Sequence, residues 1–247
     1  MEKVNFKNLR GLNLVGLLEI PNIKNPPIVI FLHGLNGHKT YYEFINHLAE
    51  ELPKNGYAVL RFDFNTHGES DSDWENFTRA GCAEDFKAAI EFVKTKNVDF
   101  SRIGVFATSM GAVPFVIENK KIKSAVLHNP YIVKSLWRRW IGKHESEIRK
   151  RGYIEYQNKT GKKCKYGLSL FNESMNVDIS SETKSVICSV FLIFGESDYE
   201  AFGKETYDLF KCEKKLKIIK GMRHSRTTLE QREEITKLSL DWFNKNL

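Results

Sequence analysis

Several features that mark particular protein classes are missing from this chain of 247 residues. Its 16 glycines and 6 prolines follow no period, and no internal repeat is found, which excludes collagen-like and solenoid architectures. The longest nearly apolar run, residues 186–194, is far shorter than the ~20 residues that a membrane span requires. The first residues also lack the apolar stretch of a signal peptide. We therefore expect a cytoplasmic protein without stable membrane insertion.

Cysteine is sparse as well. The four cysteines are widely separated, and no two of them form a Cys-x-x-Cys pair: Cys82, Cys164, Cys188 and Cys212. This spacing argues against a zinc knuckle or a redox motif, and reduced structural thiols are expected. No His-Glu-x-x-His motif or other ligand spacing supports a metal site. The sequence therefore predicts no bound metal.

Positive charge is unevenly distributed. The net charge is +7, and residues 134–165 contain 11 lysines and arginines against three glutamates, so the rest of the chain is close to neutral. This segment is either a solvated helical face or a surface that attracts an anionic substrate, such as a phosphate or coenzyme A ester. A third interpretation is contact with a membrane surface or a partner through Trp137, Arg138, Arg139 and Trp140. Nucleic acid binding is not expected, because no recognised reader motif accompanies the charge.

Short aliphatic runs alternate with helical patterns along most of the chain. Apolar residues recur at helical spacing within residues 42–52, 83–93 and 235–242. This alternation predicts an α/β fold with a mostly parallel, doubly wound sheet. The first two strands carry polar interruptions and are expected to form an antiparallel edge. The predicted strands are residues 4–7, 12–20, 28–33, 57–62, 102–107, 124–128, 186–194 and 216–219.

The alternation stops between residues 131 and 184. This stretch holds the basic segment and five large aromatic residues, which are Trp137, Trp140, Tyr153, Tyr156 and Phe171. It is too long for a plain connection, so we interpret it as a mostly helical cap inserted into a core of residues 1–130 and 185–247. The alternative is a poorly ordered basic loop, against which the aromatic residues argue. Trp137 and Trp140 are candidates for substrate contact, and His128 at a strand end either lines the same pocket or fills the core.

Chemistry-bearing residues follow four of the predicted strands. Ligands of open α/β sheets bind beyond the carboxyl ends of the strands, so these residues are expected to meet in space. In chain order they are the loop of residues 33–39, then Ser109, Asp198 and His224.

These residue types are the ones that acyl transfer requires. A serine hydroxyl becomes a nucleophile when a base takes its proton, an imidazole suits that role near neutral pH, and a carboxylate orients the imidazole. We assign these roles to Ser109, His224 and Asp198. The oxyanion of the tetrahedral intermediate is expected to bind the backbone N–H groups of Leu35 and Met110.

Each assignment has a competitor. Ser109 is open to interpretation as an ordinary turn serine, and Glu196 and Glu200 compete with Asp198. Six other histidines compete with His224, of which His33 and His67 are expected to support loops beside the site. The order of the four parts, each after its own strand, favours the assignments given.

Together these motifs resemble those of the α/β-hydrolase superfamily, and within it the cinnamoyl/feruloyl esterase and serine-aminopeptidase-like group. The resemblance implies an α/β-hydrolase fold, the Ser109–His224–Asp198 triad, an oxyanion hole at Leu35 and Met110, and no metal or organic cofactor. It also implies that the cap encodes substrate choice. The motifs are HGLNGHK at residues 33–39, DFNTHGESD at 63–71, ATSMG at 107–111, GESD at 195–198 and GMRH at 221–224.

The sequence departs from the pattern of this group at three positions. Ala107 and Thr66 stand where glycine is common, and Pro114 lies in the helix after the nucleophile. Proline removes a backbone donor and tends to kink a helix, so the local geometry after Ser109 is the part of the site that the pattern predicts least well.

The expected activity is hydrolysis of carboxylic esters with small or aromatic acyl groups, through an acyl-enzyme on Ser109. The expected partner is a small-molecule ester, and a homodimer is possible. The same triad also fits a thioesterase, a lipid-ester hydrolase or a peptidase. A third class, a hydrolase-fold protein that binds a ligand without turnover, stays open because a fold alone does not guarantee a function.

Overall fold

A computed structural model describes residues 1–157 and 163–247. Eight strands form one sheet and two more form a separate antiparallel ribbon. In chain order the strands are β1 (Glu2–Lys7), β2 (Asn13–Glu19), β3 (Ile28–Leu32), β4 (Ala58–Phe62), β5 (Ile103–Thr108), β6 (Ile122–His128), β7 (Tyr153–Gln157), β8 (Lys163–Gly167), β9 (Ser189–Gly195) and β10 (Lys214–Ile219).

The large sheet has the order β1-β2-β4-β3-β5-β6-β9-β10. Six neighbouring strands of this sheet run parallel, namely β4, β3, β5, β6, β9 and β10. Strand β2 pairs antiparallel with both β1 and β4. Strands β3, β4 and β5 are buried along their whole length, and their residues are apolar except for Arg61 and Thr108. The predicted α/β fold, with a mostly parallel sheet and an antiparallel edge, is therefore confirmed.

Helices cover both faces of the sheet. α1 and α10 pack together on one face, over an apolar cluster that includes Phe31 and Phe106, and α2 and α3 pack on the other. The helices are α1 (Glu43–Lys54), α2 (Gly81–Val93), α3 (Ala112–Ile117), α4 (Lys134–Gly142), α5 (Glu145–Arg151), α6 (Leu168–Asn176), α7 (Ser180–Lys184), α8 (Glu196–Asp198), α9 (Lys204–Leu209) and α10 (Leu229–Asn246). Among the described residues, no helix combines the length and apolarity that a bilayer span demands.

The chain between β6 and β9 contains α4 to α7 and the ribbon formed by β7 and β8. The sequence predicts helices here but not the ribbon. Its strands are five residues each, and the apolar-polar alternation of Tyr153–Gln157 is too short to be read apart from its surroundings. Lys159 and Lys162, which contribute to the basic segment, lie outside the described residues.

Candidate active site

Ser109 lies at the sharp turn that joins β5 to α3. Its φ angle is +53°, a left-handed conformation that a non-glycine residue adopts only at a cost. The turn brings the following chain so close to β3 that a β-carbon at Gly111 would collide with the carbonyl of Leu32. Position 111 therefore requires glycine, and Ala107 on the other side of the serine is fully buried.

Pro114 fits the short helix after this turn. A single 3₁₀ turn over Ser109–Gly111 precedes α3, which begins at Ala112, so Pro114 is the third residue of the helix. The N–H groups of a first helical turn have no partner within the helix, so a proline in this turn costs the helix little hydrogen bonding. α3 ends after six residues, at Ile117.

The side chains of Ser109, His224 and Asp198 form one chain of hydrogen bonds. His224 Nε2 lies 3.0 Å from Ser109 Oγ, and His224 Nδ1 lies 3.0 Å from Asp198 Oδ2. The carboxylate accepts only from a protonated Nδ1, which leaves Nε2 free to accept the serine proton. The arrangement has the geometry of a nucleophile, a base and a carboxylate that orients the base.

The two acidic competitors of Asp198 lie elsewhere. Glu196 Oε2 accepts a hydrogen bond from the Gly221 backbone N–H at 3.3 Å. Glu200 is exposed and lines a separate surface groove with Lys204 and Asp208. Asp198, whose side chain is 15 % exposed, is the carboxylate that faces His224.

Asn129, at the end of β6, connects the loops that carry Asp198 and His224. Its Oδ1 accepts a hydrogen bond from the Gly195 N–H at 2.8 Å, and its Nδ2 donates to the His224 carbonyl at 3.3 Å. Asn129 is fully buried and has a φ angle of +43°. Sequence reasoning missed this residue, although a polar side chain directly after a buried parallel strand was the available signal.

The loop after β3 lies against the serine. A β-carbon at Gly34 would lie 3.1 Å from the Ser109 β-carbon, so the Gly34–Leu35 peptide passes beside the nucleophile. Leu35 lines the cleft, and Met110 directly follows Ser109 at the start of its turn. In the described part of the chain, no backbone acceptor is found for either N–H group. Both are thus in the vicinity that an oxyanion hole requires.

His33 holds the Gly34–Leu35 peptide in place. Its Nδ1 donates to the Gly34 carbonyl at 2.9 Å, while its Nε2 accepts from the Phe64 N–H at 3.1 Å. These two bonds require the neutral imidazole, and complete burial lowers the pKa of His33 to about 3. The C=O and N–H of one trans peptide point in opposite directions, so fixing the Gly34 carbonyl also fixes the direction of the Leu35 N–H.

A cleft of about 350 Å³ opens over the serine. Three aromatic side chains and Leu35 line it together with polar side chains of the loops around Ser109. The lining residues are Leu35, Asn36, Ser109, Tyr131, Trp137, Trp140, Asp198 and His224. The two tryptophans proposed for substrate contact thus lie in the cleft, and Asn36 and Tyr131 are lining residues that the sequence analysis missed.

His128 does not line this cleft, which corrects its candidacy for substrate contact. It is fully buried, with its ring 4.3 Å from that of Phe44 and its Nδ1 3.1 Å from Thr108 Oγ1. Burial lowers the pKa of His128 to about 3, so this imidazole is neutral. The strand that ends at His128 turns the side chain into the layer between sheet and α1, which sequence alone does not reveal.

The basic segment is partly neutralised by its own glutamates. Three ion pairs, Glu145–Arg149, Glu147–Arg151 and Glu155–Lys163, use all three acidic side chains of residues 134–165. On α4, Arg138 and Arg139 are exposed, and no carboxylate partner for them is found among the described residues. α4 also carries Trp137 and Trp140, so uncompensated positive charge lies on the outer face of the helix that walls the cleft.

Metal binding has no counterpart in the described residues. Within residues 1–157 and 163–247, no group of three or more histidine, cysteine, aspartate or glutamate side chains is arranged to hold an ion. Asp63, at the start of the DFNTHGESD motif, instead accepts from Lys39 Nζ at 2.6 Å in a buried ion pair.

A known protein family matches most of this chain. The profile of the family described as serine aminopeptidase, S33 matches residues 24–187, well over half of the chain. AB hydrolase superfamily protein YisY of Bacillus subtilis (strain 168) is 38 % identical over 71 residues, which cover 28 % of this chain and 25 % of YisY. In other curated relatives the matched stretch covers between 28 % and 38 % of their length, so this chain aligns with only part of each.

Solved structures resemble the chain over nearly its whole length. Alpha/beta hydrolase GrgF from Penicillium sp. sh18 has a TM-score of 0.80 at 20 % identity, over 99 % of this chain and 98 % of that one. Est1E from Butyrivibrio proteoclasticus, solved with ferulic acid, has a TM-score of 0.78 at 19 % identity, over 98 % of this chain and 99 % of that one. These likenesses establish the fold, and the profile match establishes the family. The chain belongs to the serine aminopeptidase S33 family of α/β-hydrolases.

Proposed function

We propose that this protein is a serine hydrolase that cleaves carboxylic esters through an acyl-enzyme on Ser109. The observation that carries the proposal is the position of the His224 ring, with one nitrogen 3.0 Å from Ser109 Oγ and the other 3.0 Å from Asp198 Oδ2. A serine bonded to an imidazole that is itself bonded to a carboxylate is the arrangement that activates a hydroxyl.

The reaction follows from these contacts. Ser109 Oγ attacks the acyl carbon while His224 Nε2 takes its proton, and Asp198 stabilises the imidazolium that forms. The oxyanion is stabilised by the N–H groups of Leu35 and Met110. His224 then gives the proton to the leaving alcohol, and water, activated by the same ring, releases the acid from Ser109.

The size and the lining of the cleft favour small or aromatic acyl groups as substrates. Its volume of about 350 Å³ is near the lower end of ordinary ligand pockets, and Tyr131, Trp137 and Trp140 offer aromatic faces. Aromatic rings stack favourably on such faces. Est1E, which has the same fold, was solved with ferulic acid bound, an aromatic acid of the kind that this cleft would release.

The test uses a serine variant and a matched control. Ser109→Ala is expected to abolish turnover of p-nitrophenyl acetate and butyrate and to abolish labelling by a fluorophosphonate. Ser146→Ala, at an exposed position of α5, should leave both unchanged. Full retention of turnover and labelling in Ser109→Ala would refute the assignment. Ligand-dependent stabilisation of a wild-type protein that neither turns over nor labels would favour a binding protein instead.

A second candidate is a thioesterase that acts on an anionic thioester with the same triad. Arg138 and Arg139 favour it, because they put uncompensated positive charge on the helix that walls the cleft. Rates on a matched oxygen ester and coenzyme A thioester would be compared at low and high salt. A thioester preference that falls with salt, and falls in Arg139→Ala, supports this candidate; a preference insensitive to both argues against charge steering.

A further inference from the structure

Asn36, which follows Leu35 in the loop after β3, has a backbone conformation that few residue types accept. The Gly37 N–H donates to the Gly34 carbonyl at 3.1 Å, which closes a four-residue turn. Within this turn Asn36 has a φ angle of +63° and Leu35 does not have a positive φ. Of the common hydrogen-bonded turns only type II has this pattern, and it favours glycine or asparagine at its third position. The backbone alone therefore explains the choice between two residues, not the choice of asparagine.

The side chain of Asn36 is held by a residue of the inserted segment. Tyr166, from β8, is fully buried, and its hydroxyl lies 2.7 Å from Asn36 Oδ1. This distance is typical of an O–H···O bond rather than an N–H···O bond, so the carbonyl oxygen of the amide faces the tyrosine. The amide nitrogen of Asn36 then points away from Tyr166.

The neighbouring histidine is consistent with this orientation. His67 Nδ1 lies 2.9 Å from the Asn65 carbonyl, which only a protonated nitrogen can approach as a partner. His67 Nε2, which lies 3.3 Å from the Tyr166 hydroxyl, is therefore an acceptor in the neutral ring. The single proton of the tyrosine hydroxyl is donated to Asn36 Oδ1, the nearer of the two groups.

Asn36 lines the cleft beside Ser109. Within the described residues, no hydrogen bond of its Nδ2 to protein is found. Asn36 directly follows Leu35, whose backbone N–H is assigned to the oxyanion.

We propose that Asn36 is a specificity-determining residue whose side-chain N–H donates to an oxygen near the scissile carbonyl, so that the protein prefers acyl groups with an alkoxy or keto oxygen there. Tyr166 is a positioning residue for this donor. The inference rests on the proposed hydrolase function and adds a substrate class to it. A hydrocarbon acyl group leaves the amide N–H without its partner, and the site discriminates against it.

Two p-nitrophenyl esters of equal chain length test the proposal. p-Nitrophenyl methoxyacetate and p-nitrophenyl butyrate differ by one oxygen in place of one methylene, and their hydroxide-catalysed rates correct for intrinsic reactivity. The wild-type protein is expected to prefer the methoxyacetate, on kcat/KM corrected in this way, by about tenfold, the equivalent of one hydrogen bond.

Three variants separate the donor from the turn. Asn36→Gly keeps the backbone conformation and removes the amide, and should abolish the preference for the methoxyacetate. Asn36→Asp keeps the acceptor for Tyr166 and lacks the N–H, and should abolish it too. Tyr166→Phe should reduce the preference only in part, mainly through KM. Circular dichroism and melting temperature check that each variant folds.

The outcomes are distinct. A wild-type protein that hydrolyses both esters without preference, or an Asn36→Gly variant that keeps the preference, would overturn the inference and leave the hydrolase assignment intact. A loss that is equal for both esters would show that Asn36 acts on the turn or the oxyanion and would also overturn it. No turnover of either ester, and no fluorophosphonate labelling, would instead count against the proposed function itself.

Discussion

The guanidinium of Arg79 lies over the indole of Trp137, with its central carbon 4.6 Å from the ring centroid. Arg79 is 1 % exposed, and its charge is balanced by Glu173 of α6, whose Oε2 accepts from Arg79 Nε at 3.0 Å. The same carboxylate accepts from the backbone N–H groups of Arg79 and Ala80. The buried ion pair between Arg79 and Glu173 of α6 therefore supports the back of a cleft wall.

This pair predicts a large difference between two glutamates. Glu173→Gln leaves the buried Arg79 without its counter-charge and is expected to lower the free energy of unfolding by about 3–5 kcal/mol. Glu145→Gln removes the partner of the exposed Arg149 and should change the free energy of unfolding by less than about 0.5 kcal/mol. Urea unfolding monitored by tryptophan fluorescence measures both, and equal effects would contradict this account of the buried pair.

Asn129 is expected to act on the rate through the positions of Asp198 and His224. Asn129→Gly suits the φ angle of +43° but removes both side-chain hydrogen bonds. Since small displacements of reacting groups are costly, we expect kcat on p-nitrophenyl butyrate to fall by about 10- to 100-fold with little change in KM.

Asn129→Asp serves as the comparison for that variant. It keeps the acceptor for the Gly195 N–H and loses the donor to the His224 carbonyl, so an intermediate kcat is expected. A KM effect that exceeds the kcat effect in either variant would point to substrate binding rather than to alignment of the triad.

The left-handed conformation of Ser109 predicts that the nucleophile lowers stability. Ser109→Ala keeps the β-carbon and the strain, whereas Ser109→Gly relieves about 1–2 kcal/mol of strain at a cost of about 0.5–1 kcal/mol in chain entropy. Both variants lack the hydroxyl, so their comparison isolates the backbone. Ser109→Gly should melt about 1–4 °C above Ser109→Ala by differential scanning calorimetry. A lower melting temperature for the glycine variant would contradict strain at this turn.

Acid is expected to destabilise the protein through two buried histidines. Burial lowers the pKa of His33 and of His128 from 6.5 to about 3, so both are neutral in the folded state above pH 3. The unfolded chain binds protons on these rings below about pH 6.5, so stability is lost as the pH falls from about 6.5 towards 3. At pH 5 the loss is roughly 2 kcal/mol for each histidine.

A variant isolates one of these titrations. His128→Asn removes one titrating ring and keeps a polar atom for Thr108 Oγ1. Between pH 6 and 4, the slope of unfolding free energy against pH should fall by about 1.4 kcal/mol per unit. Urea unfolding at several pH values gives the slope, and an unchanged slope would mean that His128 is not held neutral in the folded protein.

Those parts of the fold and site that depend on local pattern were predictable from sequence. Buried parallel strands have continuous apolar runs, so the strand ends and the residues that follow them could be located, and the structure brings Ser109, Asp198 and His224 together there. Asn129 and Asn36 were missed because their roles depend on contacts with Gly195, His224 and Tyr166, which lie far away in the chain. The direction in which His128 points, away from the cleft, likewise depends on packing between layers.

Two glycines lock the serine turn to the loop after β3. Gly111 fits under the Leu32 carbonyl, and Gly34 lies against the Ser109 β-carbon. Because glycine has no side chain, no side-chain rotation at these two positions can relieve either contact. The nucleophile and the oxyanion donors therefore move together. Asp198 and His224, in contrast, follow β9 and β10 at the edge of the sheet. A displacement of that edge would therefore separate the base from a serine that stays in place.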